Sequence, residues 1–255
     1  PEIPDYLPAL WFGVYTQVSK TELRVDWCSH EAAKYAVEHW HYSRSMPTPP
    51  IIKIGVWEDG KFIGIVLFSR GANNNLGSPY GLKQTEVCEL TRVALSSHTV
   101  PVTKIVAIGV KFLKANSPGV RLIVSFADPN EGHLGVIYQA GNWVYSGMSN
   151  STPKYKTKDG RILHQRQVSK VGYKPQYGEM RQVPRIDDCQ VIPQLDKHRY
   201  LYPLDRAMRK QIAPLSKPYP KRDPAGEATG VAPGDQPGEG GSIPTHPLHT
   251  SDATT

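Results

Sequence analysis

Hydrophobic positions change period several times along this chain, and each change marks an element. Leu23 to Cys28 alternates like a half-buried strand. Ser29 then suits an N-cap, and apolar residues over 29–40 recur at helical spacing. Ile51–Trp57 and Phe62–Phe68 are two apolar runs around Asp59-Gly60, the strongest short-range signal for a hairpin. A polar loop covers 71–84, and Val87–Leu95 reads as the next strand. Pro101 opens an amphipathic helix over 103–116, and residues 119–127 form an apolar, β-branched strand. Asp128-Pro129-Asn130 stops that strand, because proline cannot donate to a central ladder. Leu134, Ile137 and Tyr138 place a helix over 133–140, with Gly141 expected as a left-handed C-cap, before a last strand. The order β-α-β-β-β-α-β-α-β predicts a mixed α/β sheet flanked by helices in three layers. It sets Asp128 and Tyr138 at the carboxyl end of a strand, where open α/β sheets collect ligands.

Charge divides the chain differently. Residues 1–150 carry 13 basic and 12 acidic side chains, close to neutral. Residues 151–222 carry 17 and 6, a balance of +11. Residues 223–255 carry five acids and no Lys or Arg. The expected organisation is an arm over 1–22, a core over 23–150, a basic extension over 151–222 that completes the domain, and a disordered acidic Gly/Pro-rich tail over 223–255. Lysines and arginines interleaved with aromatics suit a polyanionic partner, nucleic acid first. Three widely spaced cysteines give no disulfide framework and fit a reducing cytoplasm. No window is apolar enough for a membrane span, and no signal peptide is recognisable.

Two resemblances follow from motifs. The element order, with Asp128 through Trp143, resembles the GNAT acyltransferase superfamily, and Tyr138 falls where many of its enzymes keep a tyrosine acid. The superfamily's glycine-rich pyrophosphate turn is missing. The matching segment, Leu95 to Val106, has no glycine and offers only Ser96, Ser97, Thr99 and Lys104 to a donor phosphate. More specifically, His39-Trp-His-Tyr-Ser-Arg-Ser-Met-Pro47, Glu89-Leu-Thr-Arg92, Phe126-Ala-Asp-Pro-Asn-Glu-Gly-His133 and Tyr200-Leu-Tyr-Pro-Leu-Asp205 through Lys221 are similar to the phage Mom family. That resemblance implies a transferase converting adenine in DNA to N6-carbamoylmethyl-adenine, protecting phage DNA from restriction in the host cytoplasm. It also implies that His41, Tyr42, Asp128 and Tyr138 matter for activity.

The residues support such chemistry in stated ways. The exocyclic amine of adenine is a poor nucleophile, so a group must take its proton and another must stabilise an oxyanion. Asp128 and His41 are both candidate bases, and Tyr42 and Tyr138 candidate proton donors or stacking rings. Asp128 also reads as an Asx-turn residue before Pro129, and Tyr138 as a core aromatic. Arg44 and Arg92 suit phosphate or carboxylate contacts. Lys154, Lys156, Lys158, Arg161 and Arg166 would track the backbone of double-stranded DNA, with Asp159-Gly160 as a hairpin tip. A duplex hides its adenine, so flipping is expected, with Trp40, Tyr42, Trp143 and Tyr145 as candidate stacking residues. Iron or zinc would find only Cys28, His30, His39 and His41, of which His39 and His41 diverge on a helix, so no metal site is assigned. Atom counting points to an activated glycine donor such as glycyl-tRNA, which would make tRNA a second partner, with acetyl-CoA as the other donor. Two alternatives stay open: an ordinary GNAT acetyltransferase of a small amine or protein, and a non-catalytic nucleic-acid-binding module.

Overall fold

The computed structural model describes residues 21–47, 50–71, 74–176 and 178–221. The expected acidic tail and almost all of the arm lie outside these residues.

Period-two apolar runs become six strands of one sheet: β1 Leu23–Trp27, β2 Pro50–Glu58, β3 Lys61–Ser69, β4 Val87–Leu95, β5 Leu122–Ala127 and β6 Val144–Ser149. Helical runs become α1 His30–Trp40, α2 Val102–Asn116 and α3 Val136–Ala140. The basic region adds β7 Lys154–Lys156, β8 Ile162–His164, β9 Tyr173–Gln176, β10 Glu179–Gln182, β11 Gln190–Ile192, β12 Lys197–Pro203 and α4 Arg206–Ile212. Strand β12 enters the main sheet between β5 and β6, giving the order β1-β2-β3-β4-β5-β12-β6. Within this sheet, among the described residues, only the β4–β5 pair is parallel, joined by the crossover through α2. The architecture is therefore the mixed, helix-flanked sheet expected from the pattern.

Alternation puts Ile54, Val56, Val66, Phe68 and Ile123 on one face, where Ile105, Val106 and Leu113 of α2 cover them together with Tyr138 of α3. The opposite face is covered twice. Ala33, Ala36 and Val37 of α1 pack on Ile65, Leu67 and Ala94. Met208 and Ile212 of α4 pack on Leu122, Val124 and Leu201. Each fully buried Leu or Ile contributes roughly 1.5–3 kcal/mol of transfer free energy. At the start of α1, the Ser29 hydroxyl accepts from the Ala32 amide at 3.1 Å, a cap of the kind that contributes about 1 kcal/mol.

Three local expectations change. Helix α3 starts at Val136, because Gly135 holds a left-handed φ of 76° and leaves Leu134 outside it. A Cβ at Gly135 would lie 2.4 Å from the Tyr200 ring, so close packing fixes the glycine there as well. Gly141 has φ −86° and is not the left-handed cap; Asn142 takes that conformation instead, at φ 57°. Asparagine tolerates the region better than most residues with a side chain. The fifth strand starts at Leu122, after a turn closed by Val120 donating to Ser117 at 3.0 Å.

Candidate functional site

The site begins where two strands separate. In β4, Val87, Cys88 and Glu89 pair with Leu122, Ile123 and Val124 of β5, and the pairing stops there. Beyond it β4 stays with β3, while β5 stays with β12. Ser125 Oγ crosses the split to donate to the Leu90 carbonyl at 2.9 Å.

A bulge aims one side chain at this split. Leu67 of β3 faces Arg92, yet Phe68 faces Leu90, so Thr91 is extra in β4. One inserted residue reverses the alternation beyond it. Arg92 consequently points to the α1 side, where its guanidinium donates to the Ser45 carbonyl at 3.2 Å. The Ser45 loop leaves α1 through His41, which is the helix C-cap rather than a helical residue. Arg44 is exposed, with φ 45°, its amide donating to the His41 carbonyl at 3.0 Å.

His41 has one nitrogen committed. Its Nδ1 accepts from the Ser43 amide at 3.1 Å and lies 2.8 Å from Ser43 Oγ. An amide can only donate, so Nδ1 carries the lone pair and the neutral ring keeps its proton on Nε2. Burial, then the Arg92 charge and His133, lower the His41 pKa to about 3. His41 is therefore a neutral ring at ordinary pH, with Nδ1 occupied by Ser43 and an N–H on Nε2. A stability signature follows. The unfolded imidazole binds a proton near pH 6.5, whereas the folded one does not until about pH 3, so stability falls as pH drops through that window and is complete above it. The limiting slope is about 1.4 kcal/mol per pH unit. Urea unfolding at about pH 7.5 and about pH 5 should show this loss, and His41→Asn should flatten it; an equal slope in the variant would remove His41 as the cause.

Asp128 directly follows β5 and is 6 % exposed. Its Oδ1 accepts from Asn130 N at 3.0 Å and Asn130 Nδ2 at 2.7 Å, the Asx turn anticipated before Pro129. Its Oδ2 pairs with Lys197 Nζ at 2.8 Å. Burial raises its pKa, but the Lys197 and Asn130 hydrogen bonds outweigh burial and hold it below the usual value. A carboxylate offers about four lone-pair sites, so one on Oδ2 stays available. Tyr42 is 42 % exposed. Its ring lies against His41, centroids 4.3 Å apart and tilted by 32°, and meets His133 edge-on at 5.2 Å. Desolvation, then the Asp128 charge, push its phenol up to about 12, so it stays protonated.

Tyr138 is placed otherwise. It is 8 % exposed, in the core under α2, with its ring on Trp143 and Tyr200. Its hydroxyl lies 2.7 Å from Ser125 Oγ. Ser125 Oγ donates toward it and toward the Leu90 carbonyl at 2.9 Å, so one hydroxyl proton is shared between two acceptors. Burial raises its pKa above the ordinary phenol value. Asp128, His41, Tyr42 and Arg92 thus come together, while Tyr138 sits behind them in the core with its hydroxyl on Ser125. Of the aromatic candidates, Trp143 and Tyr145 are buried at 2 % and 8 %, whereas Tyr42 is exposed. Lys197, Asn130 and His133 were not singled out by sequence; polar residues beside Asp-Pro-Asn were the available signal for the latter two.

The donor candidates near α2 are mostly engaged. The Glu58 carboxylate, at the end of β2, accepts from Thr99 N at 3.0 Å, Thr99 Oγ1 at 2.8 Å and Val100 N at 2.8 Å. Ser96 Oγ donates to the Ile63 carbonyl at 3.2 Å. Ser97 and Lys104 are exposed. An anion arriving at the amides before α2 would have to displace an anion of the chain's own.

The basic region forms two small sheets, β11-β7-β8 and β9-β10. The β7–β8 connection is a hairpin with Gly160 donating to Thr157 at 2.9 Å, and Arg161 pairs with Asp159 at 2.6 Å. Lys156, Lys158, Arg161 and Arg166 are exposed, Lys154 partly so. Lys197 joins this region to the site: it holds Asp128, and its charge, after burial and Arg166, helps lower the His164 pKa beside Lys154 and Lys174. Among the described residues, no three His, Cys, Asp or Glu side chains are grouped to hold a metal, and no helix is long and apolar enough to cross a membrane.

The Mom protein family matches residues 22–221. Methylcarbamoylase mom of Escherichia phage Mu is 27% identical over 207 residues, covering 78% of this chain and 84% of that protein. Among solved structures, a candidate acetyltransferase of Acinetobacter baylyi aligns with TM-score 0.41 at 12% identity, over 73% of this chain and 94% of its own. A candidate phosphinothricin N-acetyltransferase aligns with TM-score 0.39 at 10% identity, over 72% and 100%.

Proposed function

The chain belongs to the Mom protein family, and from that premise we propose that it is a transferase converting adenine in DNA to N6-carbamoylmethyl-adenine, so protecting phage DNA from restriction. The relative in phage Mu is named a methylcarbamoylase, and the name shares a carbamoyl group and one further carbon with this product. The observation that carries the reading is the Asp128 carboxylate, fixed by Asn130 and by Lys197 at 2.8 Å with a lone pair on Oδ2 uncommitted, near enough to Tyr42 for its charge to raise the phenol pKa. A flipped adenine stacked on Tyr42 would donate an N6–H to Asp128 Oδ2. His41 Nε2–H would donate to the donor's carbonyl oxygen as negative charge develops there. The basic region, contiguous with the site through Lys197, would hold the duplex phosphates.

An activated glycine ester, glycyl-tRNA, is the donor proposed. N6 attacks the glycyl carbonyl carbon, the ribose hydroxyl leaves with the proton, and an N6–CO–CH2–NH2 group results. The free amine then attacks ring carbon 6, forming a five-membered spiro ring, and the bond from carbon 6 to the original N6 breaks. The product is N6–CH2–CO–NH2, with every atom supplied by adenine and glycine. The Glu58 carboxylate on the amides before α2 supports a donor other than CoA, because it takes the donors a pyrophosphate would need. Nucleoside mass spectrometry of DNA from cells expressing the full chain should reveal the carbamoylmethyl adenosine. Unmodified DNA from well-expressed, folded protein would overturn the reading. In a purified system, modification with acetyl-CoA and not with glycyl-tRNA would overturn the donor alone.

A further inference from the structure

The sheet has a second charged end. Strand β12 runs antiparallel to β5, with His198 opposite Ala127 and Pro203 opposite Leu122. The exit of β12 therefore lies a strand length, roughly 17 Å, from Asp128. There a cleft of about 480 Å³ opens between α2 and α4. Lys111 and Lys114 of α2 line one wall, Arg206 and Arg209 of α4 the other, and Tyr202 and Leu204 lie between them. Spacing of three residues puts each pair on one helix face. All four cationic side chains are exposed, and among the described residues none makes an ion pair. The acid at the cleft, Asp205, is already committed: it binds Arg121 at 2.8 Å and accepts from the Met208 amide at 2.7 Å.

Four cations around one cleft whose acid is already paired with Arg121 repel one another, and a phosphate group relieves that repulsion. The size matches sites that take one small-molecule unit. An aromatic and aliphatic floor between cationic walls fits a base with its flanking phosphates. A duplex hides its bases in the stack, so the fitting ligand has an unpaired base. We propose that this cleft binds a segment of single-stranded nucleic acid, separately from the reaction end of the sheet.

The test uses the full chain and fluorescence anisotropy, with a labelled single-stranded DNA, an RNA of the same sequence and a blunt DNA duplex as probes. Lys114→Ala with Arg209→Ala should weaken single-strand binding about tenfold and flatten its log–log salt dependence by about 1.4, from two phosphate contacts at about 0.7 each. Duplex binding should stay at the wild-type level. Whichever single strand loses more affinity is the source of the ligand, DNA or RNA. Unchanged single-strand affinity, or equal losses for strand and duplex, would overturn the proposal. Thermal unfolding checks the fold of the variant, and Lys111→Gln with Arg206→Gln provides a second pair from the same walls. The readout is binding, so it is independent of whether adenine is modified: failure of the transferase reading shows in nucleoside analysis, failure of this one in anisotropy.

Discussion

Asp128→Asn should reduce adenine modification by about 10³-fold, within the range that a positioned base supplies. The substitution separates two roles that share one side chain. An asparagine oxygen can still accept from Asn130, so the turn after β5 survives. What is lost is the negative charge that would receive the N6 proton and that holds Lys197 at 2.8 Å. Removing one partner of a buried pair is strongly destabilising, but Lys197 is 41% exposed and can be solvated. The expected stability loss is therefore modest, about 1 kcal/mol after discounting for solvent. Modification would be measured by nucleoside mass spectrometry, with urea unfolding alongside. A variant that keeps near wild-type modification would reduce Asp128 to a turn former and move the search for a base elsewhere.

The largest effect on folding should come from Tyr200→Ala, a loss of about 3–5 kcal/mol in unfolding free energy. Tyr200 is fully buried in β12, and its ring packs on Tyr138 and Tyr145 and against Gly135. Its hydroxyl donates to the Leu134 carbonyl and accepts from Gln139. Truncation empties a ring-sized space where three segments meet and leaves a carbonyl short of its donor. Tyr200→Phe keeps the ring, and its cost should fall to about 1–3 kcal/mol, that of a buried acceptor left without its donor. Chemical denaturation of the three proteins gives both values. An alanine variant within about 1 kcal/mol of wild type would show that β12 does not anchor the core.

Particular residues show how far the sequence can be read. The Asp59-Gly60 hairpin and the Ser29 cap follow from turn and cap chemistry between neighbours, so a local pattern suffices. The local pattern points to Gly141 as the left-handed residue after α3, yet Asn142 takes that conformation, because the direction in which the next strand leaves decides which position turns. The motif around Asp128 was visible, but its state was not. Lys197 is brought to it by a strand that arrives from the basic region, and the pairing of distant strands leaves no periodic trace in either segment. The same holds for Glu58, whose carboxylate reaches the amides before α2 only after the hairpin has folded. Tyr42 and Trp143 are alike as aromatic candidates in the sequence, and only packing shows that one is exposed and the other buried.

By itself, the sequence determined the order of strands and helices up to residue 150, and the division into a near-neutral core and a basic region, since period and charge are local or additive properties. Tertiary structure alone decided that β12 lies between β5 and β6, that the Thr91 bulge turns Arg92 toward His41, and that Asp128 is ionised beside Lys197. These depend on which distant surfaces come to share low-dielectric space, and only the packed chain fixes that.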